Sequence, residues 1–90
     1  MDKEEKLAIR YLPIILRKYR DKAGLSQQEL ADFIGVSKGF ISALEGGRSV
    51  PSLDRLLQIA DAYGIRPGVL VDALDDEIKK HGKARPQFHT

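Results

Sequence analysis

The chain has 90 residues, of which 42% are hydrophobic and 31% charged, and its formal net charge is +2. This length allows one small domain with a single core, and the composition is ordinary for a soluble globular protein. Because cysteine is absent, disulfides and thiolate metal sites are excluded, and helix packing must supply the stability.

The distribution of charge and apolar residues excludes some classes of protein. Residues 1–24 hold seven Lys or Arg against four Asp or Glu, residues 25–73 four against six, and residues 74–90 four against three. Basic charge at the two ends is compatible with nucleic-acid binding but is not evidence for it. The longest uncharged apolar run, residues 11–16, is too short to cross a bilayer, and the charged start MDKEEK is unlike a signal peptide. We therefore expect no membrane segment and a cytoplasmic location.

Two helical segments are predicted before residue 25. In residues 2–12, Leu7, Tyr11 and Leu12 share a helical face. Pro13 is expected to end this segment and to be the first residue of helix 1, where a proline loses no intrahelical hydrogen bond. Gly24 is the expected stop. The inward positions of helix 1 are Ile15, Leu16, Tyr19 and Ala23.

Two short helices joined at Gly35 follow. Ser26 and Glu29 have the spacing of a capping box, which predicts helix 2 from about residue 27 to residue 34. Gly35 ends it, since glycine enters the left-handed conformation at little cost, and Ser37 caps helix 3 over about residues 38–45. The residues available to the core are Leu30, Ala31, Ile34, Val36, Phe40, Ile41 and Leu44.

Two longer helices complete the predicted fold. Ser52 is the expected cap of helix 4, which covers about residues 53–63 and stops at Gly64; helix 5 begins at Pro67. No window alternates with period two, so the fold class is all-α, with a compact domain over residues 13–80, a helical extension over 1–12 and a frayed tail over 81–90. The apolar stripes are Leu53, Leu56, Leu57, Ile59, Ala60 and Tyr63 in helix 4, and Val69, Leu70, Val71, Leu74 and Ile78 in helix 5.

One face of helix 3 is predicted to lie outside the core. Helices joined by a short glycine turn cross closely where small side chains meet, and Ala31 and Gly35 supply these. Such an outer face is most often solvated surface in an arbitrary helical domain. The residues that point away from the core are Lys38, Gly39, Ser42 and Ala43.

Three motifs occur in order between residues 12 and 74: LRKYRDKAGLSQQELA, then IGVSxxxISxLExG, then PSLxxLLQIAxAYGI. In their order and spacing they resemble the lambda-repressor-like helix-turn-helix domains of the Xre/Cro type. The resemblance implies a five-helix DNA-binding domain and a sequence-specific transcriptional regulator of double-stranded DNA. It also implies that helix 3 enters the major groove, with a homodimer on a near-palindromic operator.

The resemblance also assigns residues to DNA contacts. Gln27 matches a phosphate-contacting position, with a polar residue of the helix start as the alternative, and Arg48 matches a backbone-gripping position, with an exposed loop cation as the alternative. In the groove, Lys38 donates to guanine or phosphate, Ser42 donates or accepts, and Ala43 packs against a thymine methyl. The positions matched to the major groove are Ser37, Lys38, Gly39, Ser42 and Ala43.

Three further residues complete the candidate site. Phe40 either packs in the core, which we favour, or lies along the sugar-phosphate backbone. Arg20 and Glu45 match an ion pair that orients helix 3, and an exposed pair would contribute only ~0–1 kcal/mol. Because only Lys38 and Ser42 can hydrogen-bond to bases, dimerisation or DNA shape is expected to add specificity.

Other functions receive less support. No catalytic set, phosphate loop or metal-ligand spacing occurs, so we expect no enzyme, cofactor, metal or small-molecule ligand. The acidic residues Asp75, Asp76 and Glu77 are expected to be solvated. The main competitor is an antitoxin-like or adaptor module with a protein partner, which would use residues 2–12 or the stripe of Leu70, Leu74 and Ile78. The same surfaces could close a homodimer or simply pack in the core.

Overall fold

The computed structural model describes residues 7–81. They form α1 (Leu7–Lys22), α2 (Gln27–Ile34), α3 (Lys38–Glu45), α4 (Leu53–Tyr63) and α5 (Pro67–His81), and no strand occurs among them. The predicted all-α, five-helix architecture is confirmed. Residues 1–6 of the expected extension and 82–90 of the expected tail lie outside the described residues, and His81 is the last residue of α5.

Serine caps and glycine stops explain why α2, α3 and α4 have the predicted bounds. Ser26, Ser37 and Ser52 each accept, through Oγ, the backbone N–H of the residue three positions on, at 2.9 to 3.1 Å. The capping box at Ser26 is complete. Gly35 and Gly64 end α2 and α4 with φ of 75°, a conformation that disfavours any residue with a Cβ. Local hydrogen bonds therefore fix the starts of all three helices, and the left-handed glycines fix the ends of α2 and α4.

Pro13 lies inside α1, so the prediction that it begins a helix is wrong. The turn that precedes it is held by packing, because Leu12 contacts the core and the Tyr11 ring stacks on His81 of α5, with ring centroids 5.6 Å apart. These contacts outweigh the lost hydrogen bond and the ring clash of a proline inside a helix. A local pattern does not contain this information, because α5 is distant in sequence.

A single core receives side chains from all five helices. Tyr63 is its polar member: its hydroxyl donates to the Leu16 carbonyl at 2.8 Å. Burial, and secondarily the nearby Glu45 carboxylate, raise the pKa of Tyr63 well above its ordinary value. The buried apolar residues are Ile15, Leu16, Leu30, Ala31, Ile41, Leu44, Ile59, Ala60, Tyr63 and Leu70.

Some apolar residues expected inside are exposed. Leu53 is 72% exposed and Leu57 44%, because α4 turns Ile59, Ala60 and Tyr63 into the core and leaves the flank of its apolar stripe outside. Ala23, Val69 and Val71 are also exposed. In α5, by contrast, Leu70 is buried and Leu74 packs against the core, so most of the stripe considered for a protein partner is core. No helix of the described residues is long and apolar enough to span a membrane.

Candidate nucleic-acid interface

The α2–α3 unit is joined by a tight turn. The backbone N–H groups of Gly35 and Val36 both reach back to the Ala31 carbonyl, at 2.9 Å for Val36, and Ser37 then caps α3. Ala31 is fully buried, and α3 buries Ile41 on its inner side. The Ala31 carbonyl thus closes the turn through which α3 follows α2.

The outer face of α3 is open at its N-terminal end. Lys38 and Gly39 are exposed, whereas Ser42 and Ala43 are half-buried. A Cβ placed on Gly39 would have Ser37 Oγ as its nearest neighbour, 3.8 Å away. Of the residues predicted to face the groove, those at the start of α3 are thus the most accessible, and the fold leaves room for a side chain at position 39.

Phe40 belongs to the packed side of the helix. It is half-buried and contacts the core, and the guanidinium of Arg55 on α4 lies over its ring, 5.6 Å from the centroid. At this distance a cation and an aromatic ring attract each other. The Phe40 ring therefore joins α3 to α4.

Arg20 on α1 and Glu45 at the end of α3 form an ion pair with two hydrogen bonds. Nε donates to Oε2 at 2.7 Å and Nη2 to Oε1 at 2.9 Å, and Nη1 donates to the Leu25 carbonyl at 2.7 Å. The two side chains are only 9% and 5% exposed, so the pair is buried, unlike the exposed pair considered from the sequence. The hydrogen bond to Glu45 raises the pKa of Arg20, against the opposing effect of burial. The pair ties the C-terminal end of α3 to α1.

Gln27 takes part in the same cluster. Its Nε2 donates to Glu45 Oε1 at 3.0 Å, so the side chain expected to reach a phosphate is directed towards α3 in the free protein. Three helices therefore meet at one carboxylate. Sequence reasoning missed this contact because Gln27 and Glu45 are distant in sequence and no local pattern links them.

Arg48 lies just beyond the other end of the outer face. Its backbone N–H donates to the Ala43 carbonyl at 2.8 Å, and its guanidinium folds back over Gly46. A Cβ on Gly46 would come within 2.7 Å of Arg48 Nη1. Lys38 and Arg48 thus place one exposed cation near each end of α3.

Residues 16–70 match a family model described as helix-turn-helix, which is more than half of the chain. The chain belongs to the helix-turn-helix family, of the Xre, lambda-repressor-like type. The predicted family and fold are confirmed, and membership confirms the expectation that the chain is not an enzyme. Among residues 7–81, no group of three or more His, Asp or Glu side chains is placed to hold a metal ion.

Relatives and solved structures resemble this helix-turn-helix chain over much of its length. A protein named as an uncharacterised HTH-type transcriptional regulator of Methanothermobacter thermautotrophicus is 46% identical over 50 residues, 56% of this chain and 72% of that relative. Another of Methanocaldococcus jannaschii is 37% identical over 62 residues, 69% of this chain and 94% of the relative.

Two crystal structures share the fold. A mutant of the restriction-modification controller protein C.Esp1396I superposes with a TM-score of 0.76 at 24% identity, over 82% of this chain and 94% of that one. The clp gene regulator ClgR from Corynebacterium glutamicum superposes with a TM-score of 0.77 at 27% identity, over 81% of this chain and 78% of that one. At such low identity the first of these supports the fold alone.

Proposed function

We propose that the chain is a sequence-specific transcriptional regulator of double-stranded DNA that inserts α3 into the major groove and acts as a homodimer on a near-palindromic operator. The observation that carries this proposal is the two-sided character of α3. Its inner side buries Ile41 and Leu44, and its last residue, Glu45, is fixed to α1. Its outer side presents Lys38 and Gly39 to solvent. The relatives named HTH-type transcriptional regulators support the same conclusion.

In the proposed complex, the outer face of α3 reads the base edges. Lys38 donates to guanine O6 or N7 or to a phosphate, Ser42 hydrogen-bonds to a base, and the Ala43 methyl contacts a thymine methyl. Gly39 has no side chain to read a base, but it allows the helix backbone to come close. With two polar readers per half-site, each worth ~1–3 kcal/mol, a second subunit is needed for useful discrimination.

Backbone contacts in the proposed complex come from both ends of the α2–α3 unit. Arg48 extends from its place over Gly46 to a phosphate. Gln27 has two routes, because its side chain is engaged by Glu45. Either Nε2 leaves the carboxylate when DNA binds, or the free backbone N–H groups at the start of α2 contact the phosphate while the side chain stays in place.

Selection of binding sites from random duplex DNA tests the proposal directly. We expect an enriched motif with two related half-sites, centred about 34 Å apart for a two-fold dimer. Lys38→Ala and Ser42→Ala should each relax the motif at equivalent positions of both half-sites, whereas Lys79→Ala, which removes an exposed lysine of α5, should leave it unchanged. A folded chain that enriches no motif at low salt would rule the proposal out.

An adaptor-type protein-interaction module remains the second candidate, and one observation favours it. Leu53 and Leu57, 72% and 44% exposed, are four residues apart and share one flank of α4. Val50, 55% exposed, lies in the loop that leads into the helix. This function predicts a stable complex with another protein, lost on Leu53→Asp, and no enriched DNA motif. Cross-linking and size-exclusion chromatography of the variant distinguish the two functions.

A further inference from the structure

One orientation of Arg55 is favoured by its own helix. It is the third residue of α4, and its backbone N–H donates to the Ser52 cap at 3.1 Å. One turn further on, Gln58 Oε1 accepts from Arg55 Nη1 at 2.8 Å. Both hydrogen bonds are exposed to solvent, so they favour this orientation of the guanidinium without fixing it.

From this position Arg55 contacts both helices of the helix-turn-helix unit. Nη1 also donates to the carbonyl of Ile34, the last residue of α2, at 3.4 Å, and the guanidinium lies over the Phe40 ring in the first turn of α3. The last turn of α2 has no basic residue of its own. Arg55 supplies a cation at this helix end, where the free carbonyl groups carry partial negative charge.

The contacts of Arg55 complement those of Glu45. Glu45 fixes the C-terminal end of α3 to α1, and Phe40, five residues earlier, is fixed to α4 through Arg55. Five residues of helix span roughly 7.5 Å, so the two attachments lie at opposite ends of α3. Ile41 and Leu44 hold the inner side of α3 to the core, and the two attachments at its ends add constraints on the direction of the helix.

We propose that Arg55 is a positioning residue that sets the crossing of α2 and α3 and thereby the affinity of α3 for DNA. The effect on DNA affinity rests on the proposed function, whereas the effect on the turn does not. The competing role for an arginine so close to α3 is a direct phosphate contact, which needs only its charge. Positioning needs the planar guanidinium, because a lysine ammonium does not reproduce its hydrogen bonds and its stacking together.

The first experiment measures DNA affinity against salt, on the duplex selected by the wild-type chain and well below the unfolding transition of each variant. Arg55→Met should weaken binding roughly tenfold with an unchanged slope of log K against log salt, and Arg55→Lys should not restore it. Gln58→Met, which keeps all charges, should weaken binding to a smaller extent. Arg66→Met, the control, removes an exposed arginine at the start of α5 and should have no such effect.

Three results of this experiment would overturn the positioning role. They are unchanged affinity in Arg55→Met, a slope shallower by about 0.9, as expected for one lost phosphate contact, and full recovery in Arg55→Lys. If the wild-type chain selects no DNA at all, the proposed function fails. The role of Arg55 is then tested by amide hydrogen exchange in the turn between α2 and α3.

The second experiment follows the turn without DNA, by amide hydrogen exchange. The amides of Val36 and Phe40, which donate within the turn and the α3 cap, should exchange about tenfold faster in Arg55→Met and Arg55→Lys. The amide of Ile59 in the core should change much less. Equal acceleration at Ile59 would mean that Arg55 contributes only to global stability, and unchanged exchange at Val36 and Phe40 would mean that it does not hold the turn. Either result would reject the inference.

Discussion

The carboxylate of Glu45 accepts two hydrogen bonds from the guanidinium of Arg20, at 2.7 and 2.9 Å, and both side chains are almost completely buried. A surface pair of this kind contributes ~0–1 kcal/mol, whereas loss of one partner of a buried pair leaves an uncompensated charge away from water. The pair therefore bears on stability as well as on the orientation of α3.

Glu45→Gln should lower the free energy of unfolding by about 3 kcal/mol, the lower end of the range for a buried pair that loses one partner. The Arg20 charge then keeps only the exposed carboxylate of Asp21, 3.5 Å from Nη1, as its counter-charge. Urea denaturation followed by circular dichroism measures the loss. The control is Asp75→Asn, which breaks an exposed pair with Lys79 in α5 and should cost no more than about 0.5 kcal/mol. A similar small loss in both variants would show that the buried pair contributes no more to the free energy of unfolding than an exposed pair.

Tyr63→Phe should change how the free energy of unfolding depends on pH at alkaline pH. Because the pKa of Tyr63 is raised in the folded state, the folded chain keeps its phenol proton above about pH 10, where an unfolded tyrosine releases it. The unfolded state then binds fewer protons, so wild-type stability falls as pH rises. Near pH 7 the variant should lose about 1 kcal/mol with the hydrogen bond to Leu16.

The comparison for Tyr63 is made by urea denaturation at pH values from 7 to above 10. The wild-type curve should fall more steeply at the alkaline end, so that the difference between the two proteins narrows there. Parallel curves over this range would contradict the assignment of the alkaline loss to Tyr63.

Gly39→Ala and Gly68→Ala form a matched pair that separates stability from DNA binding. Each glycine is exposed at the second position of its helix, and a Cβ would meet nothing closer than 3.8 Å at Gly39 and nothing within 4 Å at Gly68. Both variants should be stabilised by roughly 0.5 to 1 kcal/mol, since alanine is the better helix former. Only Gly39→Ala should weaken binding to the selected duplex, by about tenfold.

Thermal unfolding and a fluorescence-anisotropy titration measure the two effects of this pair. The stabilisation checks the geometry of both helices, and the affinity checks the close approach of α3 to DNA. Equal affinities of the two alanine variants would show that position 39 does not face the groove.

Pro13→Ala should stabilise the chain, because Pro13 lies in the interior of α1. Alanine restores a backbone N–H and removes the ring clash, a difference of up to ~3 kcal/mol. The loss of ring contacts, such as the approach of Cγ to within 3.8 Å of a Cβ position at Gly47, should offset part of this gain. We expect a net rise in the unfolding temperature. A fall would mean that the contacts of the proline ring stabilise the chain by more than the proline destabilises α1.

Features set by neighbouring residues could be predicted from the sequence, and features set by distant ones could not. The starts of α2, α3 and α4 agree with the prediction because Ser26, Ser37 and Ser52 cap them through local hydrogen bonds. Pro13 was misjudged because α5, far away in sequence, holds the turn before it. Leu53 was expected to be buried but is exposed. The apolar stripe of α4 is wider than the surface that packs against the core, and the sequence does not show which edge of the stripe is left outside.

The same distinction applies to the candidate site. The outer face of α3 follows from spacing, and Lys38 is exposed on it as expected. The DNA contacts that the family resemblance assigns to Lys38 and Ser42 stay predictions. The contacts of Gln27 with Glu45 and of Arg55 with Phe40 join separate helices. Side-chain directions across such distances depend on the packed structure, and for that reason sequence reasoning missed both.

The shortness of α3 has a consequence for how a binding preference can change over time. Eight residues are too few for a helix to be stable alone in water, so α3 exists because Ile41, Leu44 and Glu45 attach it to the rest of the molecule. Under the proposed function, substitutions at the exposed Lys38 should alter what is recognised while scarcely affecting folding. A lineage of such proteins would then acquire new target sites by single mutations at this position, without first having to regain lost stability.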